Sequence, residues 1–159
     1  MSKTENTEKM DITVLILTSA KKLDLKKCSE VILPTESGNI GILKGHTTLL
    51  TALEAGVLRL RQTDGLWTPI VLYSGGGAYI EDDFVKIMVP AVDEVIEEDV
   101  DQLMKAVSQA ELELEQATTK KMRLDASGKV KLTIARMNTK MMMESNEKER
   151  ALLALKKAS

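Results

Sequence analysis

From Asp11 to Val89 the apolar positions fall in short runs of Val, Ile and Leu separated by turn residues, which is how an all-β domain reads. The runs Ile12–Leu17, Val31–Leu33, Ile40–Leu43, Val57–Leu60, Ile70–Tyr73 and Phe84–Val89 predict strands. Ser37-Gly38-Asn39, Asp64-Gly65, Gly75-Gly76-Gly77 and Asp82-Asp83 predict the turns, because these residues tolerate positive φ or cap a turn through a side chain. Val57-Leu58-Arg59-Leu60-Arg61 alternates, so its polar positions are expected to face solvent on an antiparallel sheet with one face on a core.

After Pro90 the period changes. Val100, Leu103, Val107, Ala110, Leu114 and Ala117 recur at three-and-four spacing and line one side of a helix, with acidic residues in its first turn where the helix dipole favours them. Asp125-Ala126-Ser127-Gly128 predicts the turn of an αα-hairpin, and Leu132, Ala135, Thr139 and Met142 carry the stripe of a second, antiparallel helix. That stripe is narrow and Met-rich, so it buries little area and is expected to hold its partner marginally. The expected organisation is an all-β N-terminal sandwich followed by an α-helical hairpin. A polar extension covers residues 1–10, the sandwich residues 11–91 and the hairpin residues 92–143. Residues 144–159 form a charged tail in which Leu152, Leu153 and Leu155 either prolong the helix or fray.

Composition narrows the function classes. Aromatic residues make up 3% of the chain, so the core must be aliphatic. One cysteine, Cys28, and one histidine, His46, cannot make an internal disulfide or a closed four-ligand zinc site. The longest apolar run, near Ile12–Leu17, is far short of the ~20 residues a membrane span needs, and the N-terminus has no apolar leader region. The net charge of -2 hides a segregation: nine acidic residues and one basic lie between Asp93 and Thr119, eleven basic and four acidic between Lys120 and Ser159. The last quarter is therefore expected to meet an acidic partner.

The segment Val31-Ile-Leu-Pro-Thr-Glu-Ser-Gly-Asn-Ile-Gly-Ile-Leu-Lys-Gly-His46, followed by Leu49–Leu53 and Gly56–Leu60, resembles the N-terminal domain of the epsilon subunits of F-type ATP synthases. Tyr73–Ile80 is similar to that family's glycine-containing strand, and Phe84–Val89 to its last strand; the resemblance spans Asp11 to Ala117. Asp64–Trp67 and Ser37–Ile40 are similar to the form found in photosynthetic membranes. The resemblance implies a non-catalytic rotor subunit without a cofactor. Its sandwich would bind the gamma subunit and rest on the c ring, and its helices would reach the catalytic alpha and beta subunits and inhibit ATP hydrolysis. It places the complex on a chloroplast thylakoid or a bacterial inner membrane. It also assigns the loops at Glu36, Ser37, Gly38 and Asn39 and at Lys44, Gly45 and His46 to c-ring or gamma contact, and Lys129, Lys131, Arg136 and Lys140 to the inhibitory arm. Two departures stand out. Lys44 occupies a position where the family usually has proline, and Asp101-Gln-Leu-Met104-Lys105 lacks the arginine of the family's nucleotide-binding pattern.

Without the resemblance, the same residues have plainer roles. The loops close hairpins, the lysines and Arg136 form a solvated helix face, and Met141-Met142-Met143 is adaptable packing. Gly75–Gly77 lacks the Gly-Lys-Ser/Thr ending and following helix of a phosphate loop, so a bulge or a close backbone approach is expected. His46 is the single candidate general base, without a nucleophile or carboxylate near it in sequence. The competing reading is a β-sandwich binding module whose basic helical tail engages nucleic acid or anionic membrane.

Overall fold

A computed structural model describes residues 10–159. It contains ten strands: β1 (Ile12–Leu17), β2 (Lys26–Cys28), β3 (Val31–Thr35), β4 (Gly38–Ile42), β5 (Leu49–Leu53), β6 (Gly56–Arg61), β7 (Trp67–Leu72), β8 (Gly76–Glu81), β9 (Phe84–Met88) and β10 (Val92–Asp93). Two helices follow, α1 (Val100–Gln116) and α2 (Lys120–Ala158). The polar extension expected over residues 1–10 lies outside the described residues except for Met10, which packs against the core.

Alternation in the sequence maps onto burial. In β1, Ile12, Val14 and Ile16 point into the core and the intervening residues do not. The sheet forks at β3. One edge of β3 pairs with β4; the other is shared between β6, through Val31↔Leu60 and Ile32↔Arg59, and β5, through Thr35↔Leu53. That fork separates a β6-β7-β10 layer from a β5-β8-β9-β1-β2 layer. Leu58, Leu60, Ile70 and Leu72 of the first meet Val14, Ile16, Ile80, Val85 and Ile87 of the second in one aliphatic core. The pairing is antiparallel except between β1 and β9, which run parallel, a pairing that local alternation does not reveal. The triple glycine is half turn and half strand. Gly75 turns with φ 97°, while Gly76 sits so close to β9 that an added Cβ would lie 2.1 Å from the Met88 carbonyl oxygen.

The helical region differs from expectation at one point. Asp125–Gly128 is not a turn but part of α2, and the hairpin turns earlier, at Ala117–Thr119. The start signal is Thr119, whose hydroxyl accepts the Met122 amide 3.1 Å away; α1 is capped in the same way by Asp99 and Gln102 in a reciprocal capping box. A lone Gly128 costs a helix about 1 kcal/mol against alanine and does not end it. α2 then continues for 39 residues, so the charged tail is helical through Ala158.

Candidate functional site

Two surfaces carry chemistry, the face that α2 covers and a sheet face that is left open. α2 lies along β6. Lys131 pairs with Glu54 just before that strand and Arg150 with Asp64 just after it. The polar positions of β6 are therefore not a solvent face as expected: Val57 is buried under α2, and Arg59 lines a cleft with Lys131, Ile134 and Ala135. The same covering explains why Pro69, Ile70, Val71 and Leu72 of β7 are all buried, two toward the core and two toward the helix. Val57, Val71, Ile96, Leu103 and Ala135 make a second, smaller apolar cluster, against which Tyr73, Leu132, Met137 and Met143 pack.

Polar contacts ring this cluster. Arg136 donates through Nε to Asp93 Oδ2 at 3.1 Å and reaches Glu98 through Nη2 at 3.0 Å. Asp93 Oδ2 also accepts the Tyr73 hydroxyl at 2.9 Å. Burial, and then that hydrogen bond, raises the Tyr73 pKa. Glu98 is held below the ordinary carboxylate range by its own backbone amide and then by Arg136. Lys140 donates to the Ile96 carbonyl at 3.0 Å, and Asn146, buried, donates to the Trp67 carbonyl at 2.7 Å. Lys129 joins the two helices through Glu113 at 2.9 Å. All four cations that the resemblance assigned to an inhibitory arm thus hold α2 folded within the chain. Past Arg150 every residue is exposed, Leu155 to 69%, so the end of α2 projects beyond the sandwich.

The two candidate contact loops are not brought together. Glu36 and Ser37 turn between β3 and β4, where the Thr35 hydroxyl donates to the Gly38 carbonyl at 2.6 Å, and Asn39 lies in β4 itself. Lys44, Gly45 and His46 follow the other end of β4, a five-residue strand that spans about 16 Å at ~3.3 Å per residue. Proline's rigidity is replaced there by tethers. The Gly45 amide donates to Asp83 Oδ1 at 2.6 Å, and Lys44 pairs with Asp11 at 3.5 Å. Asp82 and Asp83 form the β8–β9 turn with φ of 50° and 61°. His46 Nδ1 donates to the neighbouring Thr47 carbonyl at 2.7 Å. Among the described residues, no group of three or more His, Cys, Asp or Glu is placed to hold a metal ion. The Cys28 thiol is buried and pushed up to about 11 by desolvation, which is the chemistry of a core residue.

The open surface was not legible as such in the sequence. Leu50 faces Tyr79 across β5 and β8, Tyr79 faces Lys86 of β9, and Gly77 lies level with Ala52 on one side and Met88 on the other. Leu50 is 73% exposed, and Tyr79, Phe84 and Met88 on the same face are exposed as well. The missed signal was parity: once Ala78 and Ile80 are assigned inward, Leu50, Tyr79 and Met88 must point out.

A β-sandwich carrying a docked helical hairpin and an exposed apolar sheet face has the form of a subunit that docks onto partners. Residues 11–95 match the family model for the beta-sandwich domain of the ATP synthase delta/epsilon chain. An ATP synthase epsilon chain of the Guillardia theta chloroplast is 40% identical over 128 residues, covering 80% of this chain and 96% of its own length. The corresponding chain of Pylaiella littoralis is 41% identical over 107 residues, covering 67% of this chain and 80% of its own length. A chain in the cryo-EM structure of the Euglena gracilis mitochondrial ATP synthase OSCP/F1/c-ring assembly shares the fold, with a TM-score of 0.67 at 21% identity and 84% coverage of both chains. The chain belongs to the ATP synthase delta/epsilon family and is an accessory subunit, not a catalytic one. No helix among the described residues is long and apolar enough to cross a membrane.

Proposed function

We propose that this chain is the epsilon-type rotor subunit of a chloroplast-like ATP synthase, seated against a gamma chain and a c ring at a thylakoid or bacterial inner membrane. The open face of Leu50, Tyr79, Phe84 and Met88, with Lys86 and Glu81 among them, carries this reading, because exposed apolar side chains gathered on one sheet face mark an interaction surface and the other sheet layer is already covered by α2. The gamma chain would take this face. The turns at Glu36–Asn39 and Lys44–His46 lie at opposite ends of β4, so a c ring would use both only as a broad, flat partner.

The arm reading follows from the ion pairs. Lys129, Lys131, Arg136 and Lys140 are engaged within the chain while α2 is docked, and release of α2 would free them for acidic surfaces on the alpha and beta subunits. Docking would then permit hydrolysis and release would inhibit it. The same pairing takes Lys129, Lys131, Arg136 and Arg150 out of the cationic surface that a nucleic-acid or lipid-binding module would use.

Purified chain mixed with a gamma subunit should give a one-to-one complex in native mass spectrometry. Leu50→Asp with Tyr79→Asp should weaken it at least a hundredfold while circular dichroism stays unchanged. Full binding by the folded double variant would sink the assignment of this face.

A further inference from the structure

Four of the nine methionines lie within residues 137–143. Met141 is 51% exposed on the outer side of α2, whereas Met137 and Met143 pack against the small apolar cluster beneath the helix. Met143 has a second aspect: it also lines an open groove between α2 and β7, together with Pro69, Ile70, Val95 and Ile96. The same side chain therefore borders both an open groove and the docking contact.

We propose that Met143 is a reversible oxidation site whose state sets the docking of α2. Hydrogen peroxide supplies the oxygen. Its O–O bond breaks as the Sδ lone pair forms an S–O bond, sulfur is oxidised by two electrons, and the second peroxide oxygen leaves as water. The product replaces a soft apolar group with a polar one on a side chain that packs against the cluster of Val57, Val71, Ile96, Leu103 and Ala135. Because the cluster is small, a polar sulfoxide packed against it in place of the thioether is expected to lower the docked population by about tenfold. A dithiol acting through a methionine sulfoxide reductase reverses the step: the dithiol closes to a disulfide and the oxygen leaves as water. The inference rests on the docked helix and not on the rotor reading, so no gamma chain enters its test.

The full chain is treated with graded hydrogen peroxide. Peptide mass mapping then locates the sulfoxides, and hydrogen exchange reports α2. Oxygen at Met143 should track faster exchange across α2, and reductase with dithiothreitol should restore protection. Met143→Leu should resist peroxide, whereas Met141→Leu should respond like the parent chain. Met143 sulfoxide with α2 still protected would overturn the proposal. So would a Met143 that stays reduced at doses that oxidise Met141 and Met122 fully. In the parent chain alone, the correlation between Met143 sulfoxide and α2 release decides the matter even if a variant folds poorly.

Discussion

Arg136→Ala should release α2 from the sandwich. The guanidinium ties the helix to two carboxylates at once, Asp93 at 3.1 Å and Glu98 at 3.0 Å. The side chains of Arg136 and Asp93 are 23% and 24% exposed, so the pair is largely but not fully removed from water. Exposed pairs contribute about 0–1 kcal/mol, and breaking a fully buried one costs about 3–5 kcal/mol. A mostly buried pair that loses one partner falls between, at about 2 kcal/mol, since Asp93 would retain only the Tyr73 hydroxyl. That is roughly a thirtyfold shift toward the undocked helix. Arg136→Lys should recover part of the loss, because one ammonium cannot present two donors in the fixed geometry of the guanidinium. Hydrogen exchange read by mass spectrometry on peptides from residues 130–146 measures the shift, with β1 and β9 peptides as internal references. Unchanged exchange across α2 in the alanine variant would refute the idea that this clamp governs docking.

Glycine substitutions test the backbone. Gly76→Ala places a Cβ 2.1 Å from the Met88 carbonyl oxygen and should cost at least about 3 kcal/mol in thermal unfolding, whereas Gly128→Ala, with nothing within 4 Å, should stabilise α2 by about 1 kcal/mol. A destabilised Gly128→Ala chain would restore the turn at residues 125–128. Cys28 should resist iodoacetamide at pH 8 in the native chain and react only on unfolding, since its pKa is pushed up to about 11; rapid native alkylation would contradict its burial. Acid should loosen α2. Asp64, held down by the Leu66 amide and then Arg150, and Glu98, held down by its own amide and then Arg136, lie below their ordinary values of 3.8 and 4.5. Depressed carboxylates contribute stability above those values and lose it as pH falls through the folded pKa, so the protection factors of α2, each measured against the intrinsic exchange rate at that pH, should fall below about pH 4 and stay flat between pH 6 and 8.

The residues that form the sandwich announce themselves because burial on one face imposes a period of two: Ile12, Val14 and Ile16 read as inward from their alternation alone. The first helix is equally plain, with Leu103 and Ala110 buried on the predicted stripe. Short or mixed elements escaped. β2, a three-residue strand of Lys-Lys-Cys, has no alternation to read, and β5 carries apolar residues on both faces, Leu49 against the core and Leu50 outside. Thr119 was the missed helix start, since a glycine shortly after an aspartate looks like a stronger stop than one hydroxyl looks like a cap.

Sequence by itself determined the order of the parts, an aliphatic sandwich and then two helices of opposite charge, because periodicity and charge are local properties of a chain. It determined the family for the same reason, through a contiguous run of matched strands and turns. Only the tertiary structure decided what the cations of α2 do. Arg136 meets Asp93 and Glu98 across 43 and 38 positions of chain, and Lys131 meets Glu54 across 77. Contacts of that separation depend on how the fold closes, so a basic stripe that reads as a partner-seeking surface serves here to hold the helix down.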